Sequence, residues 1–438
     1  MRYNMKIGIR REDKSKWERR VALTPEHAKL LKEKFDIQTF VQPSDIRIFT
    51  DDEYKKAGAV IQEDLSECPV VFGVKEMPAT FFLPGKTYMF FSHVIKGQLY
   101  NMPMLQQLID LKCNLIDYEK IENDKGRRLI FFGRHAGIAG MVDSLWAYGQ
   151  RLKYEGITTP FEKIEKAYEY HSVEDIKRAL KKIGEEISEN SLPEEICPLV
   201  VGFTGYGNVS KGAQEILDCF PIIKVSPHEL LSLKSNADFS KNHLYKVVFK
   251  EVDIVKPKDE SAKFELYDYF KHPEKYTSQF AQYIPHLTIL MNCIYWSLGS
   301  PRFVTKVALK EFSKNGQKLK LKVIGDVSCD IEGSIEITSK ITEPDNPTYM
   351  YDPITDAVVD GNEGKGVIVV GRDNLPCEIP KDASRSFSEA LVDFVPMLIA
   401  AHKQGTLNEA QLPQELQHAL ILHNGKLTQN YTYINKFL

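Results

Sequence analysis

The sequence predicts an α/β protein of two domains with mainly parallel sheets, the first domain discontinuous. Three observations carry this. Apolar strand-like runs alternate with helical segments from Lys6 onward, the pattern of parallel strands joined by crossover helices. A buried strand runs straight into a glycine turn and a helix within residues 198–217. The 438 residues exceed one ordinary core, with a prior of about two or three domains. The helix expected over 381–402 has no sheet of its own, so it is expected to pack back on the first domain. The domains therefore read as 1–135 plus 375–438 and 136–374.

Taken in order, Lys6–Arg10 is a first strand. Thr24 and Pro25 cap a helix through T-P-E-H-A-K-L-L-K-E-K-F, since Thr24 accepts free backbone N–H groups and Pro25 needs none at the first helical position. A strand at 37–42 and a helix at 51–57 precede strands ending at Lys75 and His93. A helix around 105–111 and strands at 114–119 and 127–133 close this half. The small-residue-rich segment from Gly133 to about Gly156 reads as a long crossover helix. Ser172 and Asp175 then stand at capping-box-like spacing for a helix to about Ser188. Strands at 288–293, 321–328 and 367–373 complete a second sheet, with turn-rich surface loops between the last two. The 381–402 helix should bend or break near Pro396. A last helix, 408–422, would end on Asn424-Gly425 as a C-cap.

Composition excludes several functions. With 43% hydrophobic and 27% charged residues, and Lys+Arg 57 against Asp+Glu 60 for a net charge of −3, nothing in bulk draws the chain to nucleic acid or membrane. Seven scattered cysteines never form C-x-x-C, which argues against a disulfide framework or a structural zinc site. No metal site is expected. No apolar run approaches ~18 residues, and the chain enters a strand pattern at once, so a cytoplasmic location is expected; a mitochondrial matrix location would require a leader removed before Met1.

The stretch V-V-F-G-V-K-E-M-P … T-Y-M-F-F-S-H holds the chemistry. Its two short strands end in Lys75 and His93. A short crossover, 76–86, suggests neighbours in one parallel sheet, whose carboxyl ends would place an amine and an imidazole in one crevice. That is an acid/base pair. Burial would lower the Lys75 pKa while Glu76 beside it favours the charged form. Taken singly, each residue reads as a solvated or structurally satisfied strand end.

The second informative stretch is P-L-V-V-G-F-T-G-Y-G-N-V-S-K-G-A-Q-E-I-L, 198–217. Gly205 would make a tight turn, Gly207 would let a pyrophosphate approach the backbone, and Ser210 is small enough to replace a third glycine. Tyr206, Asn208 and Val209 complete the turn and helix start, where the helix N-terminus favours negative charge. A lone glycine motif can be a turn that binds nothing, but strand before and helix after are its required context. The next strand is expected to end at I-I-K-V-S-P-H-E-L, where NAD-binding folds carry an acid for the ribose 2′-hydroxyl. Ser226 stands there instead, which favours NADP(H); Glu229 nearby and the lack of a neighbouring Arg leave NAD(H) open.

With both stretches in view, the chain resembles the lysine-ketoglutarate reductase family, the reductase half of aminoadipic semialdehyde synthase. The resemblance runs through R-R-E-D-K-x-x-W-E-R-R-x-x-L-T-P (10–25), V-Q-P-S (41–44), F-F-S-H-x-I-K (90–96), I-D-Y-E-K (116–120), A-G-x-A-G-M (136–141), F-T-G-x-G-N-V-S-K-G-A-Q (203–214), P-H-E-L (227–230) and N-x-I-Y-W (292–296). It is similar more widely to saccharopine dehydrogenase, alanine dehydrogenase and transhydrogenase, whose two Rossmann-like domains are separated by a cleft.

The resemblance implies reductive condensation of L-lysine with 2-oxoglutarate to saccharopine by NADPH, the first step of lysine catabolism by that route. Lys75 and His93 would transfer protons. Glu76 and Glu119 would lie beside them, Arg20 would clamp a substrate carboxylate, and Asp326 would sit near Lys75 or the lysine amine. Closure of the domains would exclude water. The saccharopine-cleaving half is missing, while 412–428 resembles the connector before it. The chain is then either free-standing, with a separate saccharopine-cleaving dehydrogenase as a partner, or a fragment. Two other readings stand beside this one: an NAD-linked saccharopine or amino-acid dehydrogenase, and a non-catalytic nucleotide-binding regulatory module.

Overall fold

The computed structural model describes residues 5–233, 239–314, 319–403 and 406–438. Contacts divide the chain into two compact units: Met1–Phe132 with Pro380–Leu438, and Gly133–Ile379.

The first unit is built on strands β1 (Met5–Ile9), β2 (Ile37–Val41), β3 (Val60–Ile61), β4 (Val70–Phe72), β5 (Thr87–Phe90) and β6 (Asn114–Asp117). Its helices are α1 (Pro25–Phe35), α2 (Asp51–Lys56) and α3 (Met102–Asp110). Thr24 caps α1 by accepting the His27 N–H, with Pro25 opening the helix; Thr50 and Glu53 form a capping box on α2. The parallel order is β6-β5-β4-β1-β2-β3. The chain thus builds outward from β1 to β3, then returns to β1's other side. That reversal is a topological switch point, where open α/β sheets form a ligand crevice at the strands' carboxyl ends. Strand burial is near-complete, as expected of a sheet covered on both faces.

The second unit opens with α4 (Gly133–Tyr154) and α5 (Val173–Asn190), the latter capped by Ser172 accepting the Asp175 N–H. Strands β7 (Val200–Thr204), β8 (Ile222–Lys224) and β9 (Leu244–Phe249) follow, with α6 (Asn208–Leu217) and α7 (Pro227–Ser232) between them. A two-stranded ribbon, β10 (Val255–Pro257) and β11 (Tyr276–Ser278), precedes β12 (Ile289–Asn292), β13 (Val323–Asp326), β14 (Thr348–Asp352), β15 (Ala357–Asp360) and β16 (Val367–Val370). The sheet order is β15-β14-β16-β13-β12-β7-β9-β8, parallel except for β14, which runs antiparallel to both β16 and β15. The small residues of α4 have a packing purpose. A Cβ at Gly137 would fall 1.8 Å from the Val209 carbonyl oxygen, and one at Gly212 would fall 2.0 Å from that of Arg134, so α4 and α6 touch backbone to backbone.

The chain then returns to the first unit through helices Pro380–Val392 and Phe394–Ala400. The small ribbon β17 (His402–Lys403) and β18 (Thr406–Leu407) leads to β19 (Leu420–His423) and β20 (Lys426–Leu427), which extend the first sheet beyond β6.

Four sequence expectations are corrected. Residues 127–133 form no strand: the run has no neighbour to pair with beyond a single bridge, Glu122 to Arg128, and Gly133 already opens α4. The helix expected over 408–422 is a short helix at Gln414–Ala419 followed by a β-hairpin. Asn424-Gly425 is its turn, with φ of 49° and 73°, the paired left-handed geometry for which Asn-Gly is the strongest short signal. The region between β13 and β16 contains the β14–β15 hairpin as well as loops. Strand β8 does not adjoin β7; β9 lies between them.

Candidate functional site

The switch point of the first sheet gathers residues from three strand ends. Register pairs Val70 with Thr87 and Phe72 with Met89, so the segments carrying Lys75 and His93 leave adjacent strands. The loop after β1 folds over them. Buried Glu12 accepts backbone N–H groups from Val74 (2.7 Å) and Lys75 (3.0 Å), one on each oxygen, and thereby fixes the Lys75 backbone. Burial, aided by the charge of Glu18, pushes the Glu12 carboxyl up to about 7.

Glu76 joins the two strand ends. Its Oε1 lies 2.7 Å from His93 Nδ1 and its Oε2 accepts from Lys14 at 2.8 Å. Burial opposes ionisation, but the hydrogen bonds from His93 and Lys14 outweigh it and hold the carboxyl at about 2. Behind His93, buried Asp117 accepts the Ser92 backbone N–H (3.0 Å) and hydroxyl, and the Glu119 N–H (2.8 Å). His93 itself has φ 53°, a left-handed conformation that a non-glycine residue keeps only when its surroundings hold it.

Lys75 differs from these interlocked groups. Among the described residues no carboxylate lies within ion-pair distance of its ammonium, and its pKa is lowered, first by burial and then by Arg20, against the pull of Glu18 and Glu76. A cation held this way can shed and regain a proton more readily than a surface lysine.

Arg20 stands in a buried ion pair with Glu18. It is 2% exposed; its Nε and Nη2 donate to both oxygens of Glu18 at 2.7 and 2.6 Å, and its guanidinium stacks on Phe132 at 4.2 Å. Glu119 pairs with Arg128 at 2.5 Å and makes no described bond to Lys75 or His93. Glu12 and Glu18 escaped sequence reasoning. The run R-R-E-D-K-S-K-W-E-R-R looks like a solvated polar turn, and only the return of the chain to β4 buries it.

The second unit has its own switch point, between β7 and β12. Gly205 turns with φ +81°, and a Cβ there would meet the Ile294 methyl at 2.8 Å, whereas the Cβ direction at Gly207 is open. α6 begins at Asn208 with Gly207 as N-cap and no side-chain cap, so the backbone N–H groups of Asn208, Val209 and Ser210 face outward as an anion site. The adjoining cavity of 530 Å³ is lined by Gly205, Tyr206, Gly207, Glu251, Phe270 and Ile294, among others. A tight turn, an open glycine and a bare helix start fit a dinucleotide pyrophosphate.

Ser226 is elsewhere. It caps α7, accepting the Glu229 N–H at 3.2 Å, at the end of edge strand β8. The strand beside β7 is β9, which is followed by Lys250-Glu251, and the Tyr206 hydroxyl donates to Glu251 at 3.2 Å. Asp326, 1% exposed, accepts from Asn292 (2.8 Å), Thr338 (2.6 Å) and the Cys329 N–H (3.3 Å); burial raises it to about 6 against those bonds. Its partners make it a tie between the ends of β12 and β13.

Among the described residues no group of three or more His, Cys, Asp or Glu is placed to hold a metal, and no helix is long and apolar enough to cross a membrane.

Comparison with known proteins adds to this geometry. The alanine dehydrogenase/PNT N-terminal domain matches residues 8–139 and the corresponding C-terminal domain matches residues 274–430. The chain is 39% identical to alpha-aminoadipic semialdehyde synthase of Arabidopsis thaliana and 36% identical to the mitochondrial enzyme of that name from Bos taurus, over 98% of its own length but only 41% and 47% of theirs. It thus spans less than half of those relatives. It is 28% identical to saccharopine dehydrogenase [NAD(+), L-lysine-forming] of Schizosaccharomyces pombe, covering 87% of this chain and 89% of that one. A solved L-alanine dehydrogenase shares the fold with a TM-score of 0.62 at 16% identity, over 99% of each chain. Two domain matches and a likeness that runs the length of the chain make it a member of the alanine dehydrogenase/PNT family.

Proposed function

We propose that the chain is a nicotinamide-dependent reductase that condenses L-lysine with 2-oxoglutarate to give saccharopine, drawing on NADPH. The observation that carries the reading is the placement of Lys75 and the Glu76–His93 pair at the ends of adjacent parallel strands, in a chain 36–39% identical over 98% of its length to alpha-aminoadipic semialdehyde synthases.

The chemistry asks for two proton-transfer groups. Attack of the lysine ε-amine on the keto carbon forms a C–N bond and leaves an oxygen that must be protonated; loss of that oxygen as water gives an imine. Lys75, with its lowered pKa and no carboxylate in ion-pair distance among the described residues, is suited to give and recover that proton. Glu76 stays ionised and holds His93 through Nδ1, which leaves Nε2 as the exchanging atom. A bound dihydronicotinamide supplies the hydride for the imine. Gly205, Tyr206, Gly207, Asn208 and Val209 would hold its pyrophosphate. Arg20 would meet a substrate carboxylate with a guanidinium that already donates to Glu18 from Nε and Nη2.

NADPH is favoured by Lys250, an exposed cation just after the strand beside β7 with no ion-pair partner among the described residues. A second reading, NADH, is favoured by Glu251, whose carboxylate lines the cavity and would accept a ribose hydroxyl but repel a 2′-phosphate. The test is oxidation of NADPH and NADH with lysine and 2-oxoglutarate together and singly. Oxidation that needs both substrates supports the reaction, and the kcat/KM ratio chooses the cofactor. Nucleotide binding without lysine-dependent oxidation would instead leave a regulatory module.

A further inference from the structure

The C-terminal segment Gln429–Phe437 lies on the turn that follows His93. That turn is tight: the Gly97 N–H donates to the Val94 carbonyl at 2.9 Å, and Gly97 has φ +65°. The Tyr433 hydroxyl donates to the Ile95 carbonyl oxygen at 2.7 Å. A Cβ at Gly97 would fall 2.3 Å from the Phe437 ring, so the ring lies flat against the turn's backbone. The segment is anchored in turn: Ile434 is fully buried, and the buried Tyr431 donates its hydroxyl to the His418 carbonyl at 2.7 Å. Val94 is buried on the inner side. The turn is therefore gripped from both sides, immediately after a residue in a left-handed conformation that needs such restraint.

We propose that this segment is a strap that sets His93, with Tyr433 and Phe437 as positioning residues for proton transfer. The inference rests on the role given to His93 above. Strand β5 and the Ser92–Asp117 bonds fix the chain before His93, and Glu76 fixes the imidazole. After His93, the described restraints are buried Val94, the turn bond from Gly97 to Val94 and the strap. Releasing it lets the His93 backbone relax toward commoner angles and swings the imidazole off Glu76.

The test uses the full chain and two variants. Tyr433→Phe removes one oxygen from a half-exposed side chain and should leave folding intact; Phe437→Ala removes the ring, with Phe437→Tyr as the conservative control. The strap predicts faster amide hydrogen exchange confined to residues 93–98 in Tyr433→Phe and Phe437→Ala. It also predicts a kcat about tenfold lower in both with unchanged KM for the dinucleotide, and recovery in Phe437→Tyr. Unchanged exchange and unchanged kcat would overturn it, as would a loss that appears only in KM. If the wild type shows no lysine-dependent oxidation, the proposed reaction fails, and the exchange measurement still decides whether the strap holds the turn.

Discussion

Replacing Glu12 by glutamine isolates the contact that fixes Lys75. In the native protein each carboxylate oxygen accepts one backbone N–H, from Val74 at 2.7 Å and Lys75 at 3.0 Å, in a fully buried setting. A carboxylate or carboxylic acid keeps acceptor lone pairs on both oxygens; an amide has them on one, and its NH₂ would face a donor whichever way it turned. One buried N–H loses its partner, at a cost of about 1–3 kcal/mol. The pH dependence gives a second handle. Because burial, reinforced by Glu18, raises this carboxyl from 4.5 to about 7, the folded state favours the protonated form. Its contribution is complete below about pH 4.5 and is lost as pH rises through 7, amounting to roughly 3 kcal/mol at most. Glu12→Gln lacks that titration. Urea denaturation at pH 5 should therefore show the variant less stable by about 1–3 kcal/mol, and the gap should close by pH 8. Turnover should fall at least about tenfold, since the Lys75 backbone has lost an anchor. Equal stability and turnover at pH 5, or a gap that widens with pH, would refute the argument.

Lys75→Met and His93→Gln should each lower turnover by roughly 10²-fold or more while leaving dinucleotide affinity unchanged by fluorescence titration; full activity in both would remove their proton-transfer roles. Gly205→Ala meets both a φ of +81° and the Ile294 methyl at 2.8 Å, so dinucleotide affinity should drop at least about tenfold, and unaltered affinity would dismiss the turn as a cradle. Gly425→Ala places a methyl 2.4 Å from the Ile109 carbonyl oxygen at φ +73°; calorimetry should show a loss of about 2 kcal/mol or more, and a stability within experimental error of wild type would contradict the hairpin turn.

Local signals in the sequence were those that survive without tertiary information. Thr24, Pro25 and Ser172 mark helix starts because capping is a matter of a few adjacent residues. The run into Gly205 reads correctly as strand, turn and helix for the same reason. Lys75 and His93 come together because a short crossover leaves their strands little choice but adjacency. What the sequence hid was set by distant partners. Asn424-Gly425 serves equally well as a helix cap or a hairpin turn, and β6, three hundred or so residues earlier, decides for the hairpin. The apolar run 127–133 resembles a strand but meets no free edge. Ser226 seemed the residue beside the glycine turn because the next strand in sequence is usually the next in space; here β9 intervenes and brings Lys250 and Glu251 instead. Arg20 offers a free fork to the eye, yet Glu18 two residues earlier already fills it.

The discontinuity of the first unit bears on how the protein is made. Its core includes Phe387, Leu391, Leu398, Leu416, Leu420 and Ile421, all synthesised after the whole of Gly133–Ile379. While the ribosome is still delivering that insert, β6 presents an open hydrogen-bonding edge, and the apolar faces that these late residues will cover stay bare. The nascent chain must carry an unfinished sheet until its final strands emerge, the condition under which strand edges recruit the wrong partner. The strand ends that carry Lys75 and His93 are made early, and the residues that complete the sheet and its core around them are made last.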